Sequence, residues 1–204
     1  MMWRVAIGTI FVIAASAELS LAADPRYPDW PCTQAKVPEI SLAAVWAGPP
    51  LDDVGEKWKN DTKVSELVAK LAARKTPLED AKKAITEFLA GSTAAKTETG
   101  KLLFAGLFET LNAQRNSVMN GLERVTRKQR EAAEKIRADT LALHELQGAS
   151  SPDQAKINDL SNQLVWQTRI FEDRRRVIGF VCEVPTAIDQ RLFALARVIQ
   201  QEME

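Results

Sequence analysis

The sequence predicts an all-α protein. It consists of a long antiparallel coiled-coil hairpin packed at its base on two shorter helices, with an extended N-terminal strap rich in proline and tryptophan. Two long stretches, 97–147 and 152–203, repeat apolar residues with heptad spacing, and only the four residues 148–151 separate them. Glycine is scarce, at 9 of 204 residues, and runs of β-branched residues are absent, which disfavours β-sheet.

The first arm of the hairpin carries a seam, defined as the positions that alternate by four and three along the chain. Its members are Phe104, Phe108, Leu111, Arg115, Val118, Leu122, Val125, Gln129, Ala132, Ile136, Asp139, Leu143 and Leu146. The three polar members are Arg115, Gln129 and Asp139. Polar seam residues can fix the register of a coiled coil at a cost in stability, or mark a place where the arms open or a partner helix docks.

The second arm has a matching seam. Its members are Ile157, Leu160, Leu164, Gln167, Phe171, Arg174, Ile178, Val181, Pro185, Ile188, Leu192, Leu195 and Ile199. Gln167 and Arg174 are polar, and Pro185 is expected to kink the helix because it lacks an N–H. With so short a break the arms must be antiparallel, so residue i faces the level of residue 299 minus i. Arg115 is then expected to pair with Glu183.

The break between the arms has residues that favour helix ends. Gly148 is expected to adopt the left-handed conformation that ends a helix, and Ser151 to cap the next helix, with Pro152 at its first position. Each arm is on the order of 75 Å long at about 1.5 Å per residue. The tip is therefore expected to project from the rest of the protein.

The segments before the hairpin divide into three parts. Residues 1–22 have the basic start, 13-residue apolar run and small-residue cleavage sites of a secretory signal peptide; an uncleaved anchor is the alternative. Residues 23–60 form the strap, with a short helix expected at 40–46. Residues 61–91 form two amphipathic helices, the second opening with a capping box at Thr76 and Glu79, and residues 92–204 form the hairpin.

Three tryptophans of the strap, Trp30, Trp46 and Trp58, have two possible roles. They are expected to pack onto the helices, and an aromatic ligand cage is the alternative. Cys32 and Cys182 are the only cysteines. In an exported chain two cysteines usually pair, so a Cys32–Cys182 disulfide is expected to fasten the strap to the base of the hairpin.

The composition and the motifs argue against several functions. Basic and acidic residues balance at 27 each, which disfavours a nucleic-acid partner. His144 is the only histidine and lacks the second histidine of a zinc-protease helix. No nucleotide-binding or C-x-x-C motif occurs. We therefore expect no catalytic residues, no metal and no cofactor.

The middle of the hairpin carries an excess of positive charge. This basic band consists of Arg124, Arg127, Lys128, Arg130, Arg169 and Arg175. A solvated, salt-bridged surface is the plain interpretation. The alternative is a docking site for an anionic partner, such as an acidic protein or an envelope surface.

These observations favour a periplasmic, non-enzymatic accessory or scaffold protein that presents its hairpin to a protein or envelope partner. A small-ligand-binding or chaperone-like helical bundle is the alternative, and a dimer would use the same seam. Over residues 97–204 the hairpin resembles those of periplasmic adaptor and coiled-coil accessory proteins. The sequence lacks the β-domains that flank the hairpin in efflux adaptors, so their function is not carried over.

Overall fold

A computed structural model describes residues 24–91 and 95–204, and every regular element in these two ranges is helical. The predicted signal segment, 1–22, lies outside the described residues. The helices are α1 (Leu42–Val45), α2 (Thr62–Ala72), α3 (Leu78–Ala90), α4 (Lys96–Gly148), α5 (Gln154–Val181) and α6 (Glu183–Met203), with a 3-10 turn at Lys57–Asn60. The predicted all-α class is confirmed.

The hairpin is formed by α4 on one side and by α5 and α6 on the other. The amide Nε2 of Gln129 donates to the backbone oxygen of Phe171 at 2.9 Å. The predicted register placed residue 129 opposite residue 170, so it holds to within one residue at mid-hairpin. Heptad spacing sets this register because both apolar seams must face each other to leave water.

The ends of the two arms differ from the sequence prediction. Gly148 is the last residue of α4, and among the described residues only Gly55 has a positive φ, so the left-handed conformation at Gly148 is wrong. Asp153, not Ser151, caps α5, because its carboxylate accepts the backbone N–H of Lys156 at 3.2 Å. Ser151 lies two residues too early to reach the free N–H groups of the first turn.

A kink was predicted at Pro185, and the structure interrupts the second arm nearby, at Cys182. The helix stops at Val181 and restarts at Glu183, which makes Pro185 the third residue of α6. In the first turn of a helix the missing N–H of proline breaks no helical hydrogen bond. The capping box expected before α3 does not form, because the Thr76 hydroxyl donates to the backbone oxygen of Lys70 at 2.9 Å.

The core lies entirely at the base of the hairpin. The fully buried large side chains come from α2, α3, α6 and the first third of α4, and include Leu71, Ile85, Leu89, Leu103, Phe104, Leu107, Leu111, Leu192, Leu195 and Ile199. In the outer part of the hairpin, which consists of α4 after Leu122 and the whole of α5, only Gln129 and Ile157 are buried. The base is thus a helical bundle, and the outer part of the hairpin stands clear of it.

Two tryptophans of the strap, Trp46 and Trp58, pack onto this base. Trp46 is buried and stacks on Phe104, with ring centroids 4.1 Å apart. Trp58 presses against α4 at Gly106, where an added Cβ would lie 2.8 Å from the indole ring and 2.8 Å from a methyl group of Val68. This close approach requires glycine at position 106 and fixes the strap on the bundle.

Candidate functional site

One face of the hairpin is covered by the strap. Cys32 and Cys182 form the predicted disulfide, with Cα atoms 5.5 Å apart. Further along, Lys36 forms an ion pair of 2.5 Å with Glu123 on α4. Both side chains are largely buried, at 12% and 18% exposed, so the pair is screened less by water than a surface pair. Residues 24–40 therefore close this face, which is called the strap face below.

Arg115 joins the strap, α4 and α6. Its guanidinium is 3% exposed and donates to the backbone oxygen of Val37 at 2.6 Å. Its Nε forms a 2.7 Å ion pair with Asp189, so the predicted pairing with Glu183 is wrong. The predicted register continues below Cys182, since an added Cβ at Gly100 would lie 3.6 Å from Ile199. The long side chain of Arg115 instead reaches along α6 to Asp189, while Glu183 is exposed in the first turn of α6. Burial raises the pKa of Asp189, and the charge of Arg115 opposes that rise.

The other polar seam residues hold the hairpin in different ways. Gln129 is buried and bonds across the arms, as described above. Asp139 accepts hydrogen bonds from Lys135 at 2.9 Å and from Gln163 at 3.4 Å. The hydrogen bond from Lys135, followed by one from Gln167, holds the pKa of Asp139 below its ordinary value. Arg174 is exposed at the edge of the seam and does not enter it.

The predicted basic band is divided between the two faces of the hairpin. Arg127 pairs with Asp29 of the strap at 2.7 Å, and Arg130 contacts the same carboxylate. Arg175 precedes Cys182 by seven residues, two helical turns, and so lies on the strap face. Arg169 instead lies beside the ring of Trp166, 6.0 Å from its centroid.

The remaining members of the band lie on the opposite face. Arg124 and Arg174 line a groove there between α4 and α5. Lys128 follows the groove residue Gly121 by seven positions and lies on the same face. In the part of the chain that the structure describes, none of these three cations has an ion-pair partner.

The groove is apolar and open. It has a volume of about 430 Å³. Its walls are formed by Val118, Leu122, Val125, Val177, Ile178 and Val181. A second hollow of about 230 Å³ continues it toward the tip, between Ala132 and Ile136 on α4 and Ile170 on α5. Arg174 borders both hollows, so they form one path along the hairpin, called the groove face below.

A stripe of exposed apolar side chains borders this path. Trp166 is 63% exposed, Ile170 46%, Val177 57% and Phe180 73%. A partner that covered these side chains would gain about 25 cal/mol of binding free energy for each Å² of apolar surface removed from water. Contiguous apolar surface of this kind marks an interaction site more often than scattered single residues do.

The sequence contained a signal for this stripe that the seam assignment passed over. Positions 166, 170, 173, 177 and 180 alternate by four and three, just as the seam does, and all except Asp173 are apolar. Helix α5 therefore carries two heptad stripes side by side. The first faces α4 and the second faces outward, as in helices that contact two neighbours.

The remaining candidates concern metal binding and membrane insertion. His144 is exposed near the tip. Across residues 24–91 and 95–204, no three side chains of His, Cys, Asp or Glu gather in a way that could hold a metal ion. No helix in these ranges is long and apolar enough to cross a membrane.

Comparison with known proteins gives no relative from which to transfer a function: no family model, curated protein or solved structure matches the chain.

Proposed function

We propose that this protein is an exported, periplasmic, non-enzymatic accessory protein that presents the α4–α5 hairpin to a protein partner. The observation that carries the proposal is the one-sided hairpin. Its strap face is covered by its own chain, while its groove face leaves Trp166, Val177 and Phe180 exposed beside an apolar groove. A helical pair needed only for its own stability has no reason to keep a second apolar stripe in water.

The division of the molecule supports a presenting role. The base holds the core, and the outer hairpin contributes little to it. The disulfide of Cys32 with Cys182 suits an oxidising compartment. The indole N–H groups of Trp30, Trp46 and Trp58 donate to Gln34, Pro49 and Glu109, which favours packing over the alternative of an aromatic ligand cage.

Photo-cross-linking in the native cells tests the proposal. A photoreactive phenylalanine analogue is placed at Val177 or Phe180 on the groove face, and at Arg175 on the strap face as the matched control. We expect adducts of higher mass from positions 177 and 180 and none from position 175. Mass spectrometry of the adducts then identifies the partner, or shows a second copy of the chain or a lipid instead. Equal yields at all three positions, or none, would reject the proposal.

A further inference from the structure

We infer that the groove face takes a single amphipathic α-helix of about 18 residues whose apolar stripe is flanked by acidic side chains. The inference rests on the proposed function, because it names the chemistry of the partner that the hairpin presents itself to. The occupant is a helix of another protein, and it would convert the two-helix hairpin into a three-helix bundle.

The shape of the groove face sets the form and the length of the partner. The path runs along α4 from Val118 to Ile136, about 27 Å at 1.5 Å per residue, which corresponds to about 18 residues of a bound helix. Two side-by-side helices offer a concave surface, and a third helix can pack at about 8–10 Å from both. At Gly121 the space is open, since an added Cβ would meet nothing nearer than the Arg124 guanidinium at 3.9 Å.

The apolar pattern matches a helix rather than an extended peptide. Val118 and Val125 on α4 are seven residues apart, as are Ile170 and Val177 on α5. Two heptad stripes that face the same groove are the surface against which a third heptad stripe packs its knobs into holes. The described backbone offers this groove no free strand edge, which an extended peptide would need for pairing.

The charges at the rim specify acidic flanks. Arg124, Lys128 and Arg174 lie on this face without ion-pair partners among the described residues. The single acid that lines the larger hollow, Asp173, already lies 3.8 Å from Arg176. On the strap face the cations Arg127 and Arg130 both pair with the carboxylate of Asp29. Acidic residues beside the apolar stripe of a bound helix would do the same for the groove face, as flanking charges do in coiled coils.

The same charges disfavour a second copy of this chain. A two-fold dimer places one patch against the identical patch of its partner. With the groove faces together, Arg124 and Arg174 of both copies would gather in one interface, and like charges brought together in an interface oppose association.

A displayed peptide library tests the inference. The library contains 21-residue helices with fixed leucines at the heptad positions, while the flanking positions vary among Glu, Lys and Ser. It is selected against the full chain. We expect Glu to exceed Lys more than tenfold at the flanking positions. No selected helix, equal use of Glu and Lys, or a preference for Lys would overturn the inference.

Charge reversal sharpens the test. Arg124→Glu together with Arg174→Glu should invert the selected preference from Glu to Lys, whereas Arg175→Glu, next along α5 but on the strap face, should leave it unchanged. Arg124→Glu alone serves if the double variant loses its helical circular dichroism. An unchanged preference in the groove variants, or an equal change in the control, would overturn the inference.

Other occupants of the groove give distinct results. Sedimentation of the full chain at micromolar concentration would show a dimer that Val177→Asp dissociates. Flotation with vesicles of anionic phospholipid would show membrane binding that Val177→Asp abolishes. Either result overturns the helix inference. If cross-linking in cells finds a protein whose attached segment is not an acidic helix, the inference fails and the proposed function stands. If the library selects acidic helices but cells give no adduct, the proposed function fails instead.

Discussion

The guanidinium of Arg115 and the carboxylate of Asp189 form an ion pair, with Nε and Oδ1 2.7 Å apart, at the point where α4, α6 and the strap meet. The same guanidinium donates to the backbone oxygens of Val37 and Pro38. One side chain of α4 thus holds both the partner helix and the strap. Replacing Arg115 should therefore weaken the attachment of both α6 and the strap to α4.

Replacing Arg115 tests this connection. Arg115→Met should lower the free energy of unfolding by roughly 1–3 kcal/mol, because it removes hydrogen bonds from a charged, buried donor to two strap carbonyl oxygens and leaves a largely buried carboxylate without its partner. The pKa of Asp189 is already raised by burial and should rise further without Arg115. The contribution of an acid with a raised pKa is fully present below its unfolded pKa and is lost as pH rises through the folded pKa. The loss in Arg115→Met should therefore be larger at pH 7 than at pH 4.

Urea unfolding at the two pH values measures this effect. The double variant Arg115→Met, Asp189→Asn is the control, because it has no titrating carboxyl at this site. Its stability is compared with that of Asp189→Asn, which also lacks this carboxyl, and the difference between these two should vary less with pH than the difference between Arg115→Met and the parent. An equal pH dependence in the two comparisons would assign the effect to another group.

The disulfide is expected to stabilise the fold by holding the strap. It closes a span of 150 residues, for which the chain-entropy account gives at most about 5 kcal/mol. In the variant Cys32→Ser, Cys182→Ser the thermal midpoint should fall while the helical circular dichroism remains. Proteases should then cut within residues 24–40 first. The ion pair of Lys36 with Glu123 and the hydrogen bond from Arg115 to Val37 still hold the rest of the strap in this variant. If proteases cut α4 as fast as they cut residues 24–40, the effect of the disulfide would not be local to the strap.

Two glycines of α4 should respond in opposite ways to alanine. In Gly106→Ala the new methyl group meets the Trp58 ring and Val68, and such overpacking costs about 1–3 kcal/mol. In Gly100→Ala the nearest atoms belong to the flexible end of Met203, which can move aside. Alanine then adds up to about 1 kcal/mol of helix preference. Chemical denaturation of both variants compares them directly, and equal effects would mean that Trp58 yields as easily as Met203.

Near the tip, Lys135 should control the ionisation of Asp139. Its hydrogen bond is the largest cause of the lowered pKa of that carboxyl, so Lys135→Gln should raise the pKa toward the ordinary value of about 3.9. A lowered pKa stabilises the fold above the unfolded pKa, and this contribution is lost as pH falls through the folded pKa. The stability difference between variant and parent should accordingly shrink in acid.

Carboxyl-detected NMR titration measures this pKa. Asp153 is an internal control, because its pKa is lowered by its hydrogen bonds with Lys156 at the start of α5, far from Lys135 along the chain. An equal shift of Asp139 and Asp153 in the variant would point to a general change in the hairpin.

The sequence predicted what local repetition determines. Heptad spacing identified both arms, and two seams that must face each other fixed the register at Gln129 and Phe171. The Cys32–Cys182 disulfide could be predicted because the sequence contains only these two cysteines. The register also holds below Cys182, where Gly100 lies beside Ile199. A register does not say which way a long side chain extends along the facing helix, and this is why Arg115 was assigned to Glu183 instead of Asp189.

The candidate site was harder to predict because it depends on distant parts of the chain. The basic band lay at one level of both arms, but a carboxylate about a hundred positions away, that of Asp29, pairs with two of its members. The path of the strap thus decides that Arg127 and Arg130 are paired, a contact that the spacing of the two arms does not reveal. The outward stripe with Trp166 and Phe180 had a readable spacing, yet it is exposed because no other helix of residues 24–91 and 95–204 packs on it.

Because the core is concentrated at the base, the length of the hairpin can vary without changing the core. Because the outer arms bury so little, the distance from base to tip is set by the number of heptads and is almost independent of what holds the protein folded. Removing seven residues from each arm at matching levels would bring the tip closer by about 10 Å and keep both seams in phase. The distance between the base and the tip can thus be changed one heptad at a time without altering the packing of the base.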